Sequence, residues 1–485
     1  MNLSKVSFGL YSKLLILFPA IVACSGRQQK PPNLLIVFPD QMRGQALGFL
    51  SKEPAITPKI DAFARESLVL TSAASNYPVS SPFRAMFLTG KYPISNCVVS
   101  NCTSETGPFN VKLQKSDTTW SDMLKNEGYS LGYIGKWHLE SPYKPYVDCS
   151  NNKSEPAWNE WTPPDRRHGF SYWHAYNTYD QHNRPMYWDT DSKRDGFFYV
   201  DQWGPEHEAE MAARFINNQG GKFRDPDKPW ALVVSMNPPH MPYDLVPEKY
   251  VRMYDTVPDE KLFSFPDIPS PDSKWGKYNR KNARNQYAQI TGVDDNFGKI
   301  LKALHDAGMD QNTIVLFTSD HGDCLGRHDE ISKNNYYEES MVIPFIIRWP
   351  GHIKPEKDDL LISVPDVYPT LLSLLGLGSK VPKGVMGKDY SDIFLTGKGS
   401  RPSSQLYMWM PFDNPTLGKR GVRTNNYTLM FNRLPDNTLD TVLFDNIKDP
   451  YQMNNIASKN LEIVTSLTNE LQKWLTSNHD TWGKN

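Results

Sequence analysis

Neither sign of charge dominates this chain. It has 53 basic and 54 acidic residues, a net charge of −1 over 485 residues. That balance argues against a nucleic-acid partner, which leaves a basic footprint, and means that an anionic ligand must be held by a local cluster of cations. Long apolar runs are also scarce. The one clear run, Leu14–Ala23, is too short for a comfortable membrane span, and no later span follows. No internal repeat or low-complexity tract is present. Cysteine is rare, at five residues. Cys97, Cys102, Cys149 and Cys324 show no metal-ligand spacing; Cys97 and Cys102 are close enough in sequence to pair, and free buried thiols fit equally well. What is abundant is proline, 38 residues, and aromatics, 12% of the chain, which suits long ordered loops on a rigid scaffold. The length exceeds what one core usually fills, so one large domain and a smaller one are expected.

Residues 1–23 read as a targeting segment, with Lys5 and Lys13 flanking its short polar start. Ile21-Val22-Ala23-Cys24 resembles a bacterial lipobox. That implies cleavage before Cys24, lipidation of Cys24, a polar tether over 24–32, and membrane attachment through the lipid anchor alone. The expected location is outside the cytoplasm of a Gram-negative bacterium, on the periplasmic side or the outer membrane. An ordinary signal peptide with an incidental cysteine is the competing reading.

Four short apolar runs each end in polar residues. Asn33–Phe38 leads to Asp40 and Gln41; Leu131–Ile134 leads to Gly135-Lys136-Trp137-His138; Trp230–Ser235 leads to Asn237-Pro238-Pro239-His240; Thr313–Thr318 leads to Asp320-His321-Gly322. Continuous aliphatic runs suit strands buried on both faces. Helical spacing lies between them, as at Tyr287, Ile290, Val293, Phe297, Ile300, Leu301 and Leu304. Alternating strands and helices predict an α/β sandwich, with ligands bound beyond the carboxyl ends of the strands. The four polar endings would then meet in one crevice. Asp40 and Asp320, on separate strands, read as two carboxylates around one hard cation, Ca²⁺ or Mg²⁺; taken singly, each reads as a helix cap.

Ser80-Ser81-Pro82-Phe83-Arg84 opens a further helix. Proline favours the first helical position, which places Ser80 at or just before a helix N-terminus, where free N–H groups attract anions. Arg84 lies one turn on, on the same face. A nucleophile beside a fixed cation is one reading; a capped helix with a surface arginine is the other.

The full string Ser80–Gly90, closing on Thr89-Gly90, resembles the signature of the type I sulfatases, in which a Cys or Ser is followed by Pro two residues on and Arg four residues on. The resemblance extends over most of the chain. It implies an alkaline phosphatase-like sandwich: a large mixed, mostly parallel sheet between helices over residues 33–380, and a smaller subdomain with antiparallel sheet and helix over 381–485. It implies hydrolysis of O-sulfate monoesters, the expected substrates being sulfated carbohydrates of host or algal origin. It also implies that Ser80 is oxidised to formylglycine by a radical-type maturation enzyme. The metal set becomes Asp40, Gln41, Asp320 and His321, with Ca²⁺ preferred to Mg²⁺; Gln41 departs from the commoner Asp at that position, although an amide oxygen can still coordinate. Arg84, Lys136 and Lys333 would neutralise the sulfate. His138 would act as base on the formylglycine diol, and His240 would face the bridging ester oxygen. His328, near Lys333, would support its loop.

Residues 158–203 hold Trp158, Trp161, Tyr172, Trp173, Tyr176, Tyr179, Tyr187, Trp188 and Trp203, with His174, Asp180, His182 and Arg184 interspersed. They fit either rings stacked on sugars or an insertion with its own core. Phe263–Tyr278 reads as a rim loop, Val364–Leu372 as a helix start, and Leu461–Leu475 as a final helix. Two other functions remain open at this stage: a phosphomonoester or phosphodiester hydrolase of the same superfamily, and a non-catalytic protein binding sulfated glycans.

Overall fold

Each apolar run forms a strand. Among the described residues there are fourteen: β1 Asn33–Val37, β2 Leu68–Leu70, β3 Ser130–Lys136, β4 Tyr172–Tyr176, β5 Met186–Asp189, β6 Phe198–Tyr199, β7 Trp230–Ser235, β8 Thr313–Thr318, β9 Phe345–Arg348, β10 Glu356–Asp358, β11 Gln405–Trp409, β12 Gly418–Arg423, β13 Tyr427–Arg433 and β14 Leu439–Asp445. The computed structural model describes residues 30–483 and, before them, 1, 3, 4 and 9. The run Leu14–Ala23, Lys5, Lys13 and the Cys24 lipidation site lie outside the described residues. Pro31–Asn485 forms one compact unit.

Ten strands make the main sheet in the order β10-β2-β9-β8-β1-β7-β3-β4-β5-β6. Its centre, β8-β1-β7-β3-β4, is parallel, so both faces must be covered. Alternation along β1 shows how. Leu34 and Ile36 join Val233 and Leu316 in one core, which takes Phe83, Met86 and Phe87 from the helix Ser80–Thr89. Leu35 and Val37 join Val234 and Phe317 in the other, which takes Ile290, Val293 and Phe297 from the helix Lys274–Asp306. Each fully buried aliphatic or aromatic side chain stabilises by about 1.5–3 kcal/mol, and the period-two alternation shares that gain between two layers.

Two local expectations are corrected. Pro82 is the third residue of its helix, not the first, and Val79 is the N-cap without a side-chain cap bond. The first turn has free N–H groups at all these positions, so proline there breaks no hydrogen bond. The expected rim loop Phe263–Tyr278 shrinks to residues 264–273, because the helix starts at Lys274. Ser273 caps it by accepting from Gly276 N at 3.0 Å, which starts the helix well before its apolar face begins.

Strands β11–β14 form a separate antiparallel sheet. The helix Leu461–Ser477 lays Leu467, Leu471 and Leu475 into the core shared with Leu406, Val422 and Leu429. Asn76 ties this sheet to the main body through Nδ2, donating to Leu406 O at 2.6 Å. Arg423 grips Glu338 with two hydrogen bonds of 2.6 and 2.8 Å. The expected helix start at Val364 is present, with Ser363 and Asp366 in a capping box. The aromatic insertion has its own core of Tyr176, Tyr179, Tyr187 and Trp188. Cys97, Cys102, Cys149 and Cys324 are all free thiols.

Candidate active site

The carboxyl ends of β1, β3, β7 and β8 bring their polar residues together at the start of the helix Ser80–Thr89. Gly135 makes the approach possible: its φ is +94°, and a Cβ there would lie 2.1 Å from Ser235 O. Lys136 thereby reaches Asn237 Oδ1 at 3.1 Å and Asp40 Oδ2 at 2.8 Å. Arg84 Nη2 spans the two carboxylates, 3.0 Å from Asp40 Oδ2 and 3.2 Å from Asp320 Oδ2. Its Nη1 donates to Lys136 O at 2.6 Å and to Ser235 Oγ at 2.8 Å. Ser80 Oγ lies 3.0 Å from His321 Nε2. Lys333 Nζ donates to Gln41 Oε1 at 2.9 Å and stands 4.0 Å from Asp40 Oδ1.

The two remaining histidines flank this group. His138 is buried, has φ +54°, and neither ring nitrogen has a hydrogen-bond partner. A non-glycine residue held at positive φ marks stored backbone strain. Burial first, then Lys136 and Arg84, push its pKa well below the usual histidine value. It is therefore a neutral imidazole with a free nitrogen, suited to accept a proton. His240 is anchored through its backbone: His182 Nε2 donates to His240 O at 2.8 Å. Its Nδ1 donates to Met241 O at 2.7 Å and is 3.6 Å from Asp180 Oδ1. Burial, then Lys333 and Lys136, lower its pKa well below normal; a bound anion would oppose the two lysines.

The residues fit a hard cation. Asp40, Asp320 and His321 present ligand atoms all within 4.8 Å of one another. Asp40 Oδ1 is buried without a hydrogen-bond partner. His321 Nδ1 donates to Gly322 O at 2.9 Å, which leaves the Nε2 lone pair facing the carboxylates and Ser80. Burial, and next the Asp40 carboxylate, push Asp320 up to about 7. Asp40 is held well below the usual carboxylate range: burial opposes this, and Lys136 and then Lys333 overcome it.

Each catalytic and metal-site residue expected from the sequence thus lies in this crevice, whereas Cys24 is outside the described residues. His328, expected only to support the Lys333 loop, lies elsewhere: its Nε2 is 3.2 Å from Glu339 Oε2 in a separate buried cluster. Of the insertion's aromatic rings, Trp158 alone among those described lies against the ring of a crevice residue; it is half-buried, its ring 6.0 Å from that of His138 and tilted by 53°. Asp180 and His182 also reach the crevice, whereas His174 pairs with Asp189 and His207, and Arg184 with Asp201. Sequence reasoning missed Asn237, which bridges Lys136 and Asp180, and Asp323, which receives Gln41 Nε2 at 3.0 Å. Asn237 sat in a quoted motif; Asp323 stood three residues past Asp320 with no signal of its own.

Residues 32–377 match the family model Sulfatase, and residues 326–479 match the model for the C-terminal part of N-sulphoglucosamine sulphohydrolase. The chain belongs to the sulfatase family, of alkaline phosphatase-like fold, and is a sulfuric ester hydrolase. It is 40% identical over 489 residues to an endo-4-O-sulfatase of Bacteroides thetaiotaomicron, covering 94% of both chains. It is 33% identical over 446 residues to an ulvan-active sulfatase of Formosa agariphila, covering 89% of this chain and 79% of the other. A solved Bacteroides fragilis structure assigned to the sulfatases superposes with a TM-score of 0.90 at 48% identity, covering 94% of this chain and 98% of the other.

Proposed function

We propose that this chain removes O-sulfate from a sulfated glycan, using a formylglycine made from Ser80 and a Ca²⁺ ion held by Asp40, Gln41, Asp320 and His321. The carrying observation is the position of Ser80: its Oγ is 3.0 Å from His321 Nε2, and His321 lies with Asp40 and Asp320 in one cation-sized nest. The ion would supply Lewis acidity, polarising a sulfate oxygen and favouring ionisation of a hydroxyl on residue 80. A serine hydroxyl is a weak nucleophile near neutral pH; a hydrated aldehyde at that position would offer a second hydroxyl, and loss of its proton would re-form the C=O while the carbon–oxygen bond to the sulfated oxygen breaks and sulfate leaves.

The other roles follow from charge and reach. Arg84 and Lys136 neutralise the sulfate oxygens, as fixed donors in a buried site do best. His240, protonated on Nε2 once the bound sulfate offsets Lys333 and Lys136, gives a proton to the departing sugar oxygen, with Lys333 assisting. His138, neutral and unpartnered, takes the proton of the second hydroxyl. The glycan substrate is supported by the names of the relatives, an endo-4-O-sulfatase and an ulvan-active sulfatase, and by Trp158, an aromatic face beside His138 suited to a sugar ring. We place the protein outside the cytoplasm, anchored by lipid on Cys24; labelling with a palmitate analogue, present in the wild type and absent in Cys24→Ala, checks this.

The test is the mass of the Ser80 peptide from protein made with a radical-type maturation enzyme, read beside sulfate release from a panel of sulfated oligosaccharides. Loss of two hydrogens at Ser80, together with release that Ser80→Ala abolishes, is expected. An intact serine in protein that still turns over sulfated sugars would overturn the formylglycine reading.

A further inference from the structure

Position 41 carries an amide where a carboxylate is commoner, and the residue behind it accounts for this. Gln41 is fully buried, with φ +68°. Its Oε1 faces the crevice and accepts from Lys333. Its Nε2 points the other way, donating to Asp323 Oδ2 at 3.0 Å and to Tyr243 OH at 3.1 Å. Asp323 is itself buried and held on all sides. Its Oδ2 also accepts from Tyr243 OH at 2.6 Å and from Gln286 Nε2 at 2.5 Å, and its Oδ1 accepts from Leu325 N at 2.9 Å. Gln286 cannot turn its amide round, because its Oε1 accepts from Arg43, which is paired with Glu53.

A carboxylate only accepts hydrogen bonds. Asp323 therefore requires the donor end of whatever stands at position 41. We infer that Asp323 is a positioning residue for the cation site: it selects an amide at position 41 and turns that amide so that the carbonyl oxygen faces the ion. A carboxylate at position 41 would put two buried anions in contact with no cation between them. The negative charge that other sulfatases would carry on the ligand is here moved one residue outward, onto Asp323. The inference rests on the cation reading above.

Calcium titration by calorimetry, on chelator-stripped full-length protein, tests it, with urea unfolding in chelator as the fold control. Wild type should bind one Ca²⁺. Gln41→Asp, although it adds a negative ligand, should weaken binding about tenfold or more, the size seen when outer partners of metal ligands are disturbed. Asp323→Asn should weaken it comparably, because either orientation of the new amide sets an N–H against a donor. Tyr243→Phe, which removes one donor and no charge, should cost a smaller factor, about two- to fivefold. In Gln41→Asp/Asp323→Asn the new amide can donate to the new carboxylate, so the pair should bind more tightly than Gln41→Asp alone. Failure of wild type to bind Ca²⁺ would overturn the cation reading and this inference with it. Wild-type binding with Gln41→Asp as tight or tighter, or with additive losses in the double variant, would overturn the inference alone.

Discussion

Among the described residues, two clusters of carboxylates with a histidine are dense enough to hold a cation: Asp40, Asp320 and His321, and Asp267, His328 and Glu339. They differ in what occupies the middle. In the second, Arg327 Nη1 sits 3.2 Å from Glu53, 3.5 Å from Asp267 and 3.5 Å from Glu339. His328 adds contacts of 3.4 Å to Asp267 and 3.2 Å to Glu339, and its ring stacks on Tyr337 at 3.8 Å. Burial alone would raise Glu339, but His328 and Arg327 hold it down at about 2. In the first cluster Arg84 touches only the outer oxygens, Oδ2 of each aspartate, and Asp40 Oδ1 has no hydrogen-bond partner, with His321 Nε2 3.7 Å and Lys333 Nζ 4.0 Å away. One cluster contains its cation as a side chain; the other leaves that place for an ion and a substrate. Glu208 is a third case. It is buried, with Tyr176 and Tyr187 as its hydrogen-bond partners and no cation beside it among the described residues, and burial pushes it up to about 8. A buried carboxylate here is open, plugged or protonated, according to its neighbours.

The largest effect should come from the open cluster. Asp40→Asn should lower sulfatase kcat/KM by about 10³-fold, the scale of losing a principal electrostatic group, while the protein stays folded by circular dichroism. Wild-type turnover in that variant would break the comparison at its functional end. Next is the plugged cluster. Arg327→Met leaves three buried carboxylates without their central cation and should cost roughly 3–5 kcal/mol in urea unfolding, with a much smaller loss of kcat/KM per folded molecule. Unchanged stability would show that Arg327 is no plug.

The protonated case gives the most gradual effect, no more than about 1.4 kcal/mol over any single pH unit. Glu208 has a raised folded pKa, so its folded form holds the proton more tightly than the unfolded chain does. Its contribution to stability is complete at acid pH and lost as pH rises from about 4.5 toward 8. Glu208→Gln should remove that slope, gaining on wild type by up to about 1.4 kcal/mol per pH unit across that window. Parallel pH–stability curves for the two proteins would mean that Glu208 ionises freely.

Much of the site was legible in the chain because its parts are local. Ser80, Pro82 and Arg84 lie within one helical turn and a half; Asp40, Lys136, His240 and Asp320 each follow an apolar run at a strand end. The continuous apolar run of β1 marks a strand buried on both faces. What could not be read is the partner of each polar group. The aromatic insertion spends most of its rings on its own core, and no spacing in 158–203 distinguishes Trp158 from Tyr187. Likewise, His328 stands five residues before Lys333 yet faces away from the crevice.

The sequence by itself determined which side chains stand at the carboxyl ends of four buried strands and at the start of one helix, because apolar periodicity and helix-terminus chemistry act over a few residues. Only the tertiary structure decided which carboxylates are open and which are neutralised. Gln41 and Asp323 are 282 residues apart in sequence and 3.0 Å apart in space. Electrostatic energy in a buried site depends on that second distance and on the exclusion of water, and both are set by how the parallel strands are ordered side by side.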